Sequence, residues 1–230
     1  MGVGTEQLQT TAILPIKRLG AAHGRLAGVL KQKERSKLAE AMFLDLLTKI
    51  RRSQTIGTAL VVTSDKWVAR HARWLGHSVL EQAGDLGHSR AAAAGVRAAI
   101  ADGAQRVAML PADCPLLDPR ELDDRLGNTP RAALIVPDRH GTGTNALVLT
   151  PPDAFEPAFG PDSCYRHVSR ARAAGFGFAV EEIPSLALDL DTPDDMRELR
   201  DALLLDPDPA PRTARVLWEL GDRTEPVAAA

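Results

Sequence analysis

RVAMLPADCPLL, residues 106–117, reads as an apolar buried strand that runs directly into an acidic turn at Asp113. LALDLDTPDD, residues 186–195, repeats the pattern far downstream. There Asp189 and Asp191 stand two apart, so on an extended chain both point to one side while Leu190 points to the other. Carboxylates gathered at strand ends are costly unless paired or metal-bound. Hard oxygen ligands suit Mg2+, which is commonly held by one or two carboxylates plus substrate phosphates. The triad Asp113, Asp189 and Asp191 therefore points first to phosphate chemistry.

Working outward, TTAILPIK (10–17) is a first buried strand, with Pro15 ending it and Lys17 just beyond. Lys31 to Ile50 has helical periodicity: Leu38, Ala41, Met42, Leu46 and Ile50 share a face, leaving Glu34, Lys37, Glu40 and Lys49 wet. TIGTALVVTSD (55–65) is a second strand ending at Ser64 and Asp65. A helix over Trp67 to Leu75, a short strand SVLEQ (78–82) and an alanine-rich helix over Arg90 to Ala101 follow. Strand, helix, strand, helix, strand favours an open α/β sheet with helices on both faces. Its ligand crevice lies beyond the carboxyl ends of the strands, where Pro15, Asp65 and Asp113 sit.

Further strand-like runs cover Ala133 to Val136, Ala146 to Thr150 and Gly177 to Ile183. Thr192 is an expected N-cap, with Pro193 at the first helical position and Asp195 three after the cap. DPDPAPR (206–212) breaks that helix and EPVAAA (225–230) reads as a frayed tail. With no repeat and no linker, one domain over residues 1–230 is expected, its core at about 12–204 and a C-terminal extension after it. Trp67, Trp74 and Trp218 read as packing residues.

At 44% hydrophobic and 25% charged residues the composition is that of a globular protein. A net charge of −2 with 4% aromatics gives no nucleic-acid footprint. No stretch reaches the roughly 20 apolar residues that span a bilayer, and MGVGTEQLQT lacks the regions of a signal peptide. A cytoplasmic location is expected, with Cys114 and Cys164 unlinked.

Three loops are suited to anions. PDRHGTGTNALVL (137–149) places Gly141 and Gly143 where consecutive N–H groups can converge on a ligand, with Thr142, Thr144 and Asn145 as donors. A plain polar turn is the alternative, and the G-K-[S/T] ending of a Walker A loop is missing. FGPDSCYRHVSRARAAG (159–175) lets Ser163 cap a helix to about Ala174, with Gly175 past its end. Arg166 and His167 in its first turn oppose the helix dipole unless an anion is held there, or else belong to a solvated surface. KRLGAAHGRL (17–26) offers Lys17, Arg18, His23 and Arg25 after the first strand. No GxGxxG follows that strand, which argues against a dinucleotide-binding oxidoreductase.

LPIKRL…GRL, LPADCPLL, PDRHGTGTNALVL, FGPDSCYRHVSRA and LALDLDTPDDM stand in the order and spacing of the phosphoenolpyruvate or 2-phospho-L-lactate guanylyltransferase family of coenzyme F420 biosynthesis. The chain resembles that family from about Ala12 to Leu204. The resemblance implies a GT-A-like (Rossmann-like) nucleotidyltransferase fold with a mixed, mostly parallel central sheet. It also implies transfer of GMP from GTP to a phosphorylated three-carbon acid with release of pyrophosphate. Mg2+ falls on Asp113, Asp189 and Asp191, and the acid near Thr144, Gly160 and Ser163. The nucleotide falls near Pro15, Lys17, His23, Arg25, Gly87, Ser89, Pro111 and Asp113, with Lys17, Arg25 and Asp113 in the catalytic roles. Product hand-off to the F420 precursor transferase, as a monomer or homodimer, is implied in turn.

An Arg- and Ala-rich composition, typical of GC-rich bacteria where the resembling family often uses phosphoenolpyruvate, inclines the acid that way over 2-phospho-L-lactate or 3-phosphoglycerate. Two departures fall on the nucleotide side. The family reads A-K-S/T-R-L where this chain has Ala22-His23-Gly24-Arg25-Leu26, and G-L-N or P-L-N where it has Gly87-His88-Ser89. These leave open another nucleotide, or a weakened or purely binding paralogue.

Overall fold

The run Thr10–Ile16 is buried at every position, as a strand covered on both faces must be. In the computed structural model, which describes residues 8–128 and 132–221, this run is β1. The other strands are Ile56–Thr63 (β2), Ser78–Glu81 (β3), Arg106–Met109 (β4), Ala133–Pro137 (β5), Thr144–Leu149 (β6) and Phe178–Val180 (β7). Helices cover Gln32–Ile50 (α1), Lys66–Trp74 (α2), His88–Ala101 (α3), Pro119–Asn128 (α4), Ser163–Ala173 (α5), Pro193–Leu205 (α6) and Pro211–Leu220 (α7). The sheet has the order β3-β2-β1-β4-β6-β5-β7. All neighbours run parallel except β6, which is antiparallel to both β4 and β5. A hairpin from β5 produces that reversal, whereas the parallel pairs need helical crossovers.

Strand order reverses between β1 and β4, which makes their carboxyl ends the switch point where open α/β sheets bind ligands. Ala12, Leu14 and Ile16 pack on Phe43, Leu46 and Leu47 of α1 on one face. Ile13 packs on Ala92 and Val96 of α3 on the other. At Gly95 an added Cβ would lie 2.5 Å from the Ile13 Cγ2, so only glycine lets α3 approach the sheet this closely. Pro15 does not end β1 as expected. It lies inside the strand opposite Val62, beyond the last β4 partner at Ile13, so no ladder bond is lost there.

Other boundaries also move. Helix α3 starts at His88, ahead of the expected Arg90, after Gly87 at φ 82°. Strand β7 is shorter than its apolar run. Ser163 is the first residue of α5 and not its cap. Asp162 precedes it in the left-handed region at φ 54°, and no side-chain cap bond is made. Gly175 does follow that helix at φ 70°, and Thr192 caps α6 with Asp195 reciprocating.

Helices α4 and α7 were not anticipated, because a leading proline marks a first turn as readily as a break. Asp45 of α1 secures α7: its carboxylate accepts from the Thr213 backbone N–H and hydroxyl, both at 2.9 Å, and from the Arg212 guanidinium at 3.0 Å. Val216, Leu217 and Leu220 then pack with Leu38, Met42, Leu199 and Leu203 in a third cluster. Trp67 packs against Phe43 at 6.4 Å between ring centroids. Trp74 and Trp218 are instead solvent-exposed, on the outer faces of their helices. The EPVAAA tail lies outside the described residues. Cys114 and Cys164 are both free and buried.

Candidate active site

The carboxyl ends of β1 and β4 bring Lys17 and Asp113 to one rim, and a short backbone link brings the downstream acidic segment beside them. The Leu190 N–H donates to the Asp113 carbonyl at 3.0 Å. The His23 ring donates from Nδ1 to the Leu190 carbonyl at 2.8 Å. Leu190 is thereby fastened on both sides with its side chain fully buried, and its neighbours Asp189 and Asp191 line the cleft with Asp113. That is the alternation expected of an extended segment. From behind, the buried Lys49 ammonium donates to the Pro115 carbonyl at 2.5 Å and fixes the turn after Asp113.

Three half-buried carboxylates so gathered resist joint ionisation. Burial, then the charges of Asp189 and Asp191, push Asp113 up to about 7. Burial also raises Asp189; its own backbone and the Asn145 amide partly offset this, and Asp191 adds to it. Asp191 pairs with the exposed Arg25 at 2.8 Å, an interaction of modest worth beside water. Among the described residues no three His, Cys, Asp or Glu side chains form a ready-made metal cage. The donor chemistry nonetheless fits a hard divalent cation. Raised carboxyls seek positive charge, and Mg2+ takes one or two carboxylates and completes its shell with water and phosphate.

The cleft, about 990 Å3, runs from Lys17, Arg25 and Asp113 past Ser89 to Thr144, Gly160 and Ser163. A pocket of about 500 Å3 joins it, sharing Lys17, Arg25, Pro111, Asp113 and Asp191 and adding Pro15, His23 and Phe43. Gly87 lies in a narrow crevice beside Pro15 and Lys17. The residues expected to hold the metal, the nucleotide and the acid thus line one connected space, whereas Arg18, Gly141, Arg166 and His167 do not line it. Asp65 is the exception among the strand-end acids: its carboxylate caps α2 and accepts from the Leu19 N–H, so it is already committed.

The glycine loop differs from its expected form. Its N–H groups do not await an anion, because the Asp138 carboxylate accepts from His140 at 3.1 Å and from Thr142 and Gly143 at 2.9 Å each. An added Cβ at Gly143 would lie 2.5 Å from that carboxylate, which is why glycine is needed. Asn145 is also committed, donating to the Leu186 carbonyl at 2.7 Å. Thr144 is left facing the cleft. On α5, Arg166 donates to the Phe159 carbonyl at 3.0 Å, and His167 is fully buried. Both are thus tied into the protein and are not part of a solvated surface.

His23 and His88 line the pocket wall half-buried. Burial lowers His23 below its ordinary value, and its ring is tied to the Leu190 carbonyl. Burial and then Lys17 depress His88 to about 4, and its ring stands edge-on to Phe159 at 4.8 Å. Sequence reading missed Asp138, and it missed Arg139, which pairs with Asp195 and Glu198. The only available signal for Asp138 was an acid directly ahead of a glycine-rich turn.

Residues 10–201 match the model of a family described as "Guanylyl transferase CofC like". The chain belongs to that family. A relative named phosphoenolpyruvate guanylyltransferase, from Conexibacter woesei, is 48% identical over 85% of this chain and 89% of its own length. A relative named 2-phospho-L-lactate guanylyltransferase, from Methanothermobacter thermautotrophicus, is 32% identical over 84% of each. The fold recurs in a nucleotidyl transferase structure from M. thermautotrophicus (TM-score 0.62, 15% identity, 86% of this chain and 98% of that one). A Desulfovibrio desulfuricans structure, provisionally described as a nucleotide-diphospho-sugar transferase, matches at TM-score 0.74 and 18% identity over 91% and 94%. The chain thus has a mixed, mostly parallel sheet of the fold seen in these nucleotidyltransferase structures, and no described helix is long and apolar enough to cross a membrane.

Proposed function

We propose that this guanylyltransferase family member transfers GMP from GTP to the phosphate of phosphoenolpyruvate, with Mg2+, as a step of coenzyme F420 biosynthesis. The observation that carries this reading is the continuity of the two pockets across Lys17, Arg25 and Asp113. A triphosphate in the smaller pocket and a phosphorylated acid in the larger one meet at that seam. An oxygen of the acid's phosphate attacks the α-phosphorus of GTP in line, a P–O bond forms, and the bond to the β-phosphate oxygen breaks as pyrophosphate leaves. No side-chain nucleophile is involved, so the protein's work is positioning and charge neutralisation.

Lys17 and Arg25 draw the triphosphate to the rim, with Pro15, Pro111, Gly87, Ser89 and His23 shaping its pocket. Thr144, Gly160 and Ser163 hold the acid. Asp113, Asp189 and Asp191 are the residues to hold Mg2+, which supplies Lewis-acid neutralisation of charge on the phosphoryl oxygens. The relative acting on 2-phospho-L-lactate keeps that acid as the second reading. The product is passed to the transferase that builds the F420 precursor, and the chain works in the cytoplasm.

Purified protein incubated with Mg2+, each of four nucleoside triphosphates and each of three acids (phosphoenolpyruvate, 2-phospho-L-lactate, 3-phosphoglycerate) tests this by mass spectrometry. The expected product is guanosine diphosphate linked to the enolpyruvyl group, with one pyrophosphate per turnover. Folded protein that yields no GTP-dependent product with any acid would sink the reading.

A further inference from the structure

His167 sits in the first turns of α5 with no solvent exposure, and both ring nitrogens are engaged, one of them by a group of fixed polarity. The Ala158 backbone N–H lies 2.9 Å from Nε2. A backbone N–H only donates, so Nε2 is bare and the ring proton of a neutral imidazole is on Nδ1. Nδ1 lies 3.0 Å from the Thr144 hydroxyl oxygen, which has no other bond among the described residues. Burial, with Arg170 and Arg166 nearby, lowers the ring to about 4, so this neutral form holds throughout the physiological range.

We propose that His167 is a positioning residue for the acid site: its Nδ1–H donates to the Thr144 oxygen, so that this hydroxyl turns its own proton into the cleft. The inference rests on the reading of the larger pocket as the acid's. Thr144 stands at the head of β6 on the cleft wall. With a lone pair occupied by the imidazole, its hydroxyl is presented as a donor, the polarity that matches a carboxylate or phosphate oxygen. The same ring fixes the opposite wall through Ala158. Phe159, edge-on to His167 at 5.1 Å, accepts at its carbonyl from Ser89 and Arg166 and leads into Gly160 at φ 110°. One neutral imidazole therefore sets both the polarity of Thr144 and its distance from the Gly160 turn.

Two substitutions separate the ring's two bonds. The terminal nitrogen of His167→Asn overlays Nδ1 and keeps the donor to Thr144; the terminal oxygen of His167→Gln overlays Nε2 and keeps only the acceptor for Ala158. Phosphoenolpyruvate is titrated calorimetrically with Mg2+ and α,β-methylene-GTP present, on both variants, on Thr144→Val and on His167→Gln/Thr144→Val. His167→Gln and Thr144→Val should each weaken acid binding about tenfold, the double variant no more than either, and His167→Asn should stay within about threefold. Affinity for the GTP analogue should not change.

Multiplying effects in the double variant, or equal losses for acid and nucleotide, overturn the proposal while leaving the acid pocket in place. No acid binding by the unaltered protein overturns both readings. Should His167→Gln fail to fold, long-range 1H–15N correlation on the unaltered protein reads the tautomer directly. A protonated Nδ1 and bare Nε2 near pH 7 are expected, and the reverse tautomer or an imidazolium refutes the assignment.

Discussion

Asp113→Asn should make the metal-free protein more stable at alkaline pH while abolishing turnover. Asp113 is pushed from 3.8 to about 7, first by burial and then by Asp189 and Asp191. In the folded chain it keeps a proton that the unfolded chain has released. The unfolded state therefore binds fewer protons between those two values, and stability falls as pH rises through that window. Three units correspond to about 4 kcal/mol; because the residue is half-buried, screening reduces this to roughly 2–3 kcal/mol. Asparagine removes that term and keeps the shape. Urea denaturation in EDTA from pH 4 to 8 should show the wild type losing this much relative to the variant, with the gap levelling above about pH 7. Mg2+ with GTP should narrow the gap at pH 8 by stabilising only the wild type. Parallel pH profiles for the two proteins would refute the idea that an unneutralised acidic cluster strains the free enzyme.

Asp45→Ala should lower stability by roughly 3–5 kcal/mol, since it leaves Arg212 and buried Thr213 donors without their acceptor; a loss under about 0.5 kcal/mol in urea melts would show that α7 holds by packing alone. Gly143→Ala should displace the Asp138 carboxylate and raise the KM for the acid about tenfold, with the KM for GTP unchanged, in initial-rate assays. Ser163→Ala should weaken acid binding in calorimetry without the roughly 1 kcal/mol loss of a missing cap, because Ser163 follows the cap position; a cap-sized drop in stability would contradict the described helix start. His23→Lys should not raise turnover above neutral pH, because it removes the tie to the Leu190 carbonyl; a gain in the pH–rate series would mean that the ring's bond is dispensable.

Much of this was legible in the chain because local patterns and tertiary placement agree. The run of β1 is apolar on both sides, so its centrality followed from burial alone. The Asp189-Leu190-Asp191 alternation needed only the geometry of an extended strand. Misreadings arose where a residue's partner lies far away in sequence. DPDPAPR does end α6 at Leu205, but that Pro211 also opens a new helix shows only once Asp45, on distant α1, is seen accepting from its first turn. Gly141 and Gly143 read as an anion nest because nothing in GTGTN says that Asp138 already fills it. His167 reads as a surface cation because one position in a helix does not reveal which face the core claims. His23 stands where the resemblance implied a lysine, yet its bond runs to the backbone of the acidic segment, a contact no local motif encodes.

The reversed course of β6 carries a consequence for how this enzyme diversifies. Because that strand runs against its neighbours, its first residue, Thr144, arrives at the same rim as the last residues of β1 and β4. The determinants assigned to the acid then fall in one uninterrupted stretch, from Asp138 through His167, while those assigned to the nucleotide precede Cys114. Only Asp189 and Asp191 stand at the suture between the two. On the proposed assignments, substitutions in the later stretch would retune which acid is accepted, except at Arg139 and Asn145, which also reach the acidic segment.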